Sequence, residues 1–209
     1  MRRSAGLVGP PSRARARRAG VWLLLGALVG LGGPARDARA VMGELSAAEV
    51  QRAVDEGTRS IAQEDFGREW LVRLPSGEEV LVTTPFSRVA HAARRAAFKD
   101  EPLTEKQLQE QLDRGKGKLQ LTVTAYGRQV DFARWYQPVL RVGDRELKAT
   151  FAQNERTALR LEDGRFAARN IYVFPLEGLP LGGPVTLVVQ HAIERKEILR
   201  ALLDLGKMR

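Results

Sequence analysis

The chain is 209 residues long, 28% charged and 44% hydrophobic, with a formal net charge of +9. It holds no cysteine and two histidines. That excludes disulfide staples and a lipidated cysteine, and it leaves little for a catalytic triad or a transition-metal site.

Residues 1–20 carry Arg2, Arg3, Arg13, Arg15, Arg17 and Arg18 and no acid, and an uncharged apolar run from Val21 to Leu31 follows. Even widened to Ala19–Gly33, the uncharged window falls short of the roughly 20 residues that a bilayer-spanning helix needs. Gly32, Gly33 and Pro34 break any helix, and Ala38-Arg39-Ala40 then offers small residues at the two positions a signal peptidase reads. The pattern predicts a cleaved export signal over residues 1–40, with Ala38 and Ala40 at the cleavage site. A mature chain beginning at Val41 would have no stable membrane span and would be periplasmic or secreted. Arg17-Arg18 is followed by Ala19-Gly20-Val21, a loose match to a twin-arginine signal, so the general secretory route is preferred.

The signal region holds eight arginines and one acid, Asp37, so the mature residues keep 26 basic and 24 acidic side chains, a net charge of +2. Binding nucleic acid by counterion release needs many cations on one surface. The mature balance therefore predicts no nucleic-acid partner. Without disulfides, stability must come from the core of the remaining 169 residues, and a chain of that size buries about 70% of its unfolded surface. One domain is the natural count.

The mature chain opens with Leu45-Ser46-Ala47-Ala48-Glu49-Val50. Ser46 and Glu49 form a capping box and Leu45 with Val50 a hydrophobic staple. Val50, Val54, Gly57 and Ile61 then share a stripe, which predicts an amphipathic helix over 47–63 resting on β-structure. Trp70–Leu74 and Glu79–Thr83 alternate on either side of Pro75-Ser76-Gly77-Glu78 and read as a hairpin.

Thr84-Pro85 places a capping hydroxyl before a proline at the first helical position, predicting a helix over 85–99 with Phe86, Val89, Ala90, Ala93 and Ala97 inward. Thr104 and Gln107 cap a shorter helix carrying Leu108 and Leu112, which Gly115-Lys116-Gly117 ends. Together they make a helical insertion over about 85–114 in a strand-rich chain.

From Lys118 the strand pattern resumes. Leu119, Leu121, Val123 and Ala125 alternate with Gln120, Thr122 and Thr124, as an antiparallel strand with one wet face would. Trp135–Val142 and Glu146–Phe151 flank the turn Gly143-Asp144, and Thr157–Glu162 and Arg165–Phe174 flank Asp163-Gly164. A further strand is predicted over 185–192. At the end, Ile198, Leu199, Leu202 and Leu203 fit a helix, while Leu199, Ala201, Leu203 and Leu205 fit a strand. The strand is preferred, since no Ser, Thr, Asp or Asn precedes the segment as a cap and a last hairpin would complete a second sheet. The predicted class is mainly β (α+β), an antiparallel immunoglobulin-like β-sandwich with an N-terminal helix and a two-helix insertion. The likeness is one of layer pattern, because the Cys, Trp, Cys spacing of antibody domains is missing.

Few residues carry chemistry. His91 follows Ser87 by four positions on a predicted helix, where the two could touch, yet a nucleophile normally stands at a sharp turn beside an oxyanion hole. His191 ends a strand. The acid pairs Glu64-Asp65, Glu78-Glu79 and Glu162-Asp163 sit at turns or element ends, as solvated acids do. A glycosidase would need two of them facing across a cleft. Gly182-Gly183-Pro184 opens no helix, so it makes no phosphate loop. Trp70, Tyr126, Trp135, Tyr136, Phe166, Tyr172 and Phe174 would form a sugar-stacking platform only if exposed together. The alternation of Ile171, Val173 and Pro175 against Tyr172, Phe174 and Leu176 instead suggests a strand covered on both faces.

One constellation stands apart. Arg88, His91, Arg95 and Lys99 recur at spacings of three, four and four, a cationic stripe opposite a shallow alanine face that suits close packing on a sheet. These features predict an exported, non-enzymatic binding protein without metal or cofactor. Its partner would be a protein or anionic polymer of the cell envelope or exterior, met through Arg88, His91, Arg95 and Lys99. The competing reading is an envelope hydrolase whose carboxylates converge only in the fold.

Overall fold

In the computed structural model, which describes residues 43–209, helix α1 (Ala47–Arg59) begins at the reciprocal cap between Ser46 and Glu49. The Ser46 amide donates to Glu49 Oε2 at 2.7 Å and the Glu49 amide to Ser46 Oγ at 3.3 Å. The Ser46 amide first, and the Ser46 hydroxyl donating to the same oxygen at 2.7 Å second, hold the Glu49 carboxyl below its ordinary range. Ala38, Ala40 and the rest of the expected export signal lie outside the described residues.

The inward face of α1 is Glu49, Ala53 and Gly57, continued by Ser60 in a 3-10 turn (Ser60–Ala62). Val50 and Val54 are half-buried and Ile61 is exposed. The stripe shares Gly57 with the apolar pattern and elsewhere falls one residue earlier, and the helix rests mainly on another helix rather than on a sheet. Small residues set this choice. At Gly57 the two helix backbones come closer than any β-carbon would permit.

A second 3-10 turn (Arg68–Trp70) leads into β1 (Leu71–Arg73), which pairs with β2 (Glu79–Thr83) in the register Leu71↔Leu81. Gly77 turns the hairpin at a φ of +101°. Helix α2 (Pro85–Phe98) follows directly, its Ser87 amide donating to Thr84 Oγ1 at 3.0 Å. Phe86, Val89, Ala90 and Ala93 are buried as the spacing predicts, but the alanine side receives α1, with Ala90 and Ala93 against Gly57. Helix α3 (Glu105–Gly115) starts at the Thr104 and Gln107 capping box.

Strands β3 (Lys118–Gly127), β4 (Tyr136–Val142), β5 (Arg145–Lys148), β6 (Phe151–Gln153), β7 (Leu159–Arg160), β8 (Phe166–Pro175), β9 (Pro184–His191) and β10 (Glu197–Asp204) complete two antiparallel sheets. One has the order β1-β2-β3-β8-β6 with β7 also on β8, and the other β10-β9-β4-β5. The class is mainly β with a few helices.

The strand predicted over 146–151 is divided between the sheets. Its first part, β5, stays with β4, whereas Thr150 donates both its amide and its hydroxyl to the Val173 carbonyl and so starts β6 beside β8. The hairpin at Asp163-Gly164 closes through Leu161 and Arg165, with Gly164 at a φ of +82°. The terminal segment is a strand, with Leu199, Ala201 and Leu203 turned inward.

The core draws on both sheets. Val80, Val82, Leu119 and Phe174 from the first join Leu140, Leu187 and Leu203 from the second. Trp70 closes the end next to the helices, and its indole N–H donates to the Arg209 carbonyl at 3.0 Å. That carbonyl also accepts from the Thr84 hydroxyl. The Arg209 guanidinium meets Glu56 of α1 at 2.7 Å and Glu69 at 3.1 Å, so one residue ties α1, the turn before β1 and the start of α2 together.

Candidate binding face on the helical insertion

Helices α2 and α3 fill the connection from β2 to β3, and the cations of α2 take their surroundings from what packs beside each turn. Residues three and four apart share a helical face, which is why the four stripe residues align in sequence. Their environments nevertheless differ, and the four do not form one exposed surface.

Arg95, in the last turn of α2, and Lys99, its C-cap, are exposed. With Arg94, Phe98, Leu103 and Gln107 they line a cleft of about 520 Å³ between α2 and α3. Neither makes an ion pair among the described residues. Phe98 at the edge is 77% exposed, a large ring with no protein partner over most of its surface. Glu101 is the one acid among the lining residues. The cleft thus offers positive charge beside an apolar ring, with Gln107 and Gln111 able to donate or accept hydrogen bonds.

Arg88 turns the other way. It is half-buried, its Nη2 donates to Gln120 Oε1 at 3.1 Å, and its Nε is buried without a partner. Burial, then the neighbouring Arg114 and Arg95, disfavour its charged form. Around it a second cleft of about 490 Å³ is lined by Arg114, Lys118, Gln120, Thr150, Phe151 and Val173.

His91 is neither a surface cation nor a base for Ser87. Its ring lies 4.9 Å from that of Phe66 and 5.4 Å from that of Trp70, and Nε2 is buried without a partner. Burial first, and Arg95 and Arg94 second, hold the imidazole below its usual pKa, so it is neutral near pH 7. Ser87 Oγ is buried and bonded to the Thr84 backbone, accepting from its amide at 2.9 Å. Arg94 lies over the Phe66 ring at 4.8 Å and donates to the Gln63 carbonyl.

The acid pairs remain at the surface. Glu79 is matched with Arg73 at 2.8 Å and Asp163 with Arg165 at 2.7 Å, and Glu64 and Asp65 are exposed. No group of three or more potential metal-ligating His, Asp or Glu side chains gathers among the described residues. Trp70, Tyr172 and Phe174 are fully buried, and of the aromatics named from the sequence only Trp135 is exposed. His191 accepts the Glu194 amide at its Nδ1 at 3.2 Å, closing the turn after β9. No described helix is long and apolar enough to cross a membrane.

The stripe residues were legible as a pattern, whereas Arg114, Lys118, Gln120 and Thr150 come together only through the fold. The available signal was slight: Lys118 and Gln120 share the polar face of β3.

No protein-family model and no curated protein matches the chain. Among solved structures it is similar to a crystal structure of a novel protein of unknown function from Burkholderia pseudomallei K96243. The two are 18% identical, with 77% of this chain and 88% of the other covered, at a TM-score of 0.40.

Proposed function

We propose that the chain is an exported, non-enzymatic binding protein whose partner is an anionic polymer of the cell envelope or exterior, held in the cleft between α2 and α3. The observation that carries this reading is the pairing of exposed Arg95 and Lys99, both without acid partners, with the bare ring of Phe98. A chain of negative groups would satisfy the cations, and the ring would cover the polymer's apolar patches. Glu101 is the one carboxylate lining the cleft, whereas glycoside hydrolysis needs two facing carboxylates. That favours binding over hydrolysis.

An immunoglobulin-like sandwich is the scaffold in this reading. Its support is strand order: β10-β9-β4-β5 corresponds to G-F-C-C′ and β2-β3-β8-β6 to A-B-E-D, with the helices inserted between A and B. Export rests on the arginine-rich start, the apolar run and Ala38-Arg39-Ala40. An intact mass beginning at Val41 in protein from an envelope fraction is the expected result, and residues 1–40 still attached would contradict it.

The binding reading is tested with labelled polymers on the full chain at about 0.1 M salt, where exposed charges are screened beyond roughly 10 Å. Saturable binding of dextran sulfate or polygalacturonate, and none of uncharged dextran, is expected. Failure to bind either anionic polymer, or equal binding of dextran, would contradict it.

A further inference from the structure

The second cleft is built differently from the first. Strand register sets Gln120, Val173 and Phe151 in one row across β3, β8 and β6, and Lys118 lies two residues from Gln120 on the same face of β3. The helices form the wall, with Arg88 from the first turn of α2 and Arg114 from the last turn of α3. Gly115 fits between them. A β-carbon there would stand 3.3 Å from Pro85 Cα and 3.5 Å from Arg88 Cδ, so the end of α3 presses on Arg88 and buries its Nε.

Three cations therefore meet over this floor, and no carboxylate lines the cleft. Arg114 has one distant acid, Glu110 at 4.0 Å, and neither Arg88 nor Lys118 ion-pairs among the described residues. Half-burying a guanidinium without a counter-charge is unfavourable, and among the described residues Gln120 is the only acceptor that Arg88 has. A bound anion would remove that cost. A single carboxylate would leave two of the three charges unmatched, whereas a phosphate monoester carries nearly two negative charges and three acceptor oxygens. Arginine's planar fork fits such a group in bidentate fashion. Next to the cations, Phe151 is half-exposed with Val173 beside it, and the volume of about 490 Å³ lies in the range of small-molecule sites.

We propose that this cleft binds a small phosphate monoester, its phosphate held by Arg88, Arg114 and Lys118 and its apolar or aromatic body against Phe151 and Val173. Gln120 and Thr150 supply further hydrogen-bonding groups. The two clefts share no lining residue.

Phenyl phosphate is the direct probe, titrated into the full chain at low salt and followed by amide chemical shifts. Saturable binding is expected with a Kd of about 1 mM or tighter, with shifts at Gln120, Phe151 and Val173. Inorganic phosphate should bind more weakly and phenol not at all. Arg88→Gln should weaken binding about tenfold, equivalent to the loss of one charge-assisted contact. A second variant, Arg114→Gln with Lys118→Gln, changes only exposed side chains and should lose as much. Lys99→Gln, which alters only the lining of the other cleft, should leave phenyl phosphate binding within about twofold of the wild type. No saturable binding at about 10 mM, or binding that the Arg114 and Lys118 substitutions leave unchanged, would overturn the proposal.

Discussion

A β-carbon added to Gly57 of α1 would stand 2.1 Å from the carbonyl oxygen of Ala90 in α2, and 2.9 Å from the Ala90 carbonyl carbon and the Ala93 β-carbon. Two of those three atoms are backbone, so no side chain can swing aside. Replacing a mid-helix glycine by alanine normally stabilises by up to about 1 kcal/mol. Here the helices would have to part. Gly57→Ala is expected to cost about 2–3 kcal/mol, like other overpacking changes, and to lower Tm by about 5–10 °C for a chain of this size. Thermal unfolding checks it, and an unchanged or raised Tm would refute the close approach.

His91 makes stability depend on pH. Its pKa in the fold is lowered from 6.5 by burial among Phe66 and Trp70 and by the nearby arginines. The unfolded chain therefore takes up the proton first, and the contribution of neutral His91 is complete above the unfolded pKa and lost as pH falls below about 6.5. Tm of the wild type should decline more steeply from pH 7 to pH 5 than that of His91→Gln, which has no imidazole to protonate. Parallel profiles would contradict this.

Adjacent leucines in β10 test the register of the last strand. Leu203 is fully buried and Leu202 is 65% exposed. Leu203→Ala should cost about 2–5 kcal/mol, and Leu202→Ala should stay within about 0.5 kcal/mol. A helix over this segment would bury both, so similar losses measured by denaturant titration would be inconsistent with the strand.

That segment also marks how far the sequence could be read. Leu199, Ala201, Leu203 and Leu205 kept a two-residue period, and the missing cap spoke against a helix, so strand was recoverable from local features alone. The same holds for the capping boxes at Ser46 and Thr104, where hydroxyl and partner stand three residues apart, and for the capping hydroxyl of Thr84, whose partner Ser87 the structure adds. What failed depended on contacts between distant residues. The division of 146–151 follows from Thr150 reaching the Val173 carbonyl on β8. The partner of α1 follows from a backbone approach at Gly57, which a hydrophobic pattern does not encode. The spacing of the stripe on α2 aligns its residues along one helical side. However, Phe66 and Trp70 enclose His91, and Gly115 and Gln120 hold Arg88, which leaves Arg95 and Lys99 as its exposed part.

The polymer reading stands or falls on those two side chains. The decisive measurement compares dextran sulfate binding by the full chain and by its Arg95→Glu, Lys99→Glu variant, both carrying the same arginines in residues 1–40. At about 0.05 M salt the variant should bind at least about tenfold more weakly, and the gap should close near 1 M, where screening acts within about 3 Å. Its Tm should match the wild type within about 2 °C, because exposed substitutions barely alter stability. A variant that binds the polymer as tightly as the wild type at low salt would contradict the assignment of the α2–α3 cleft.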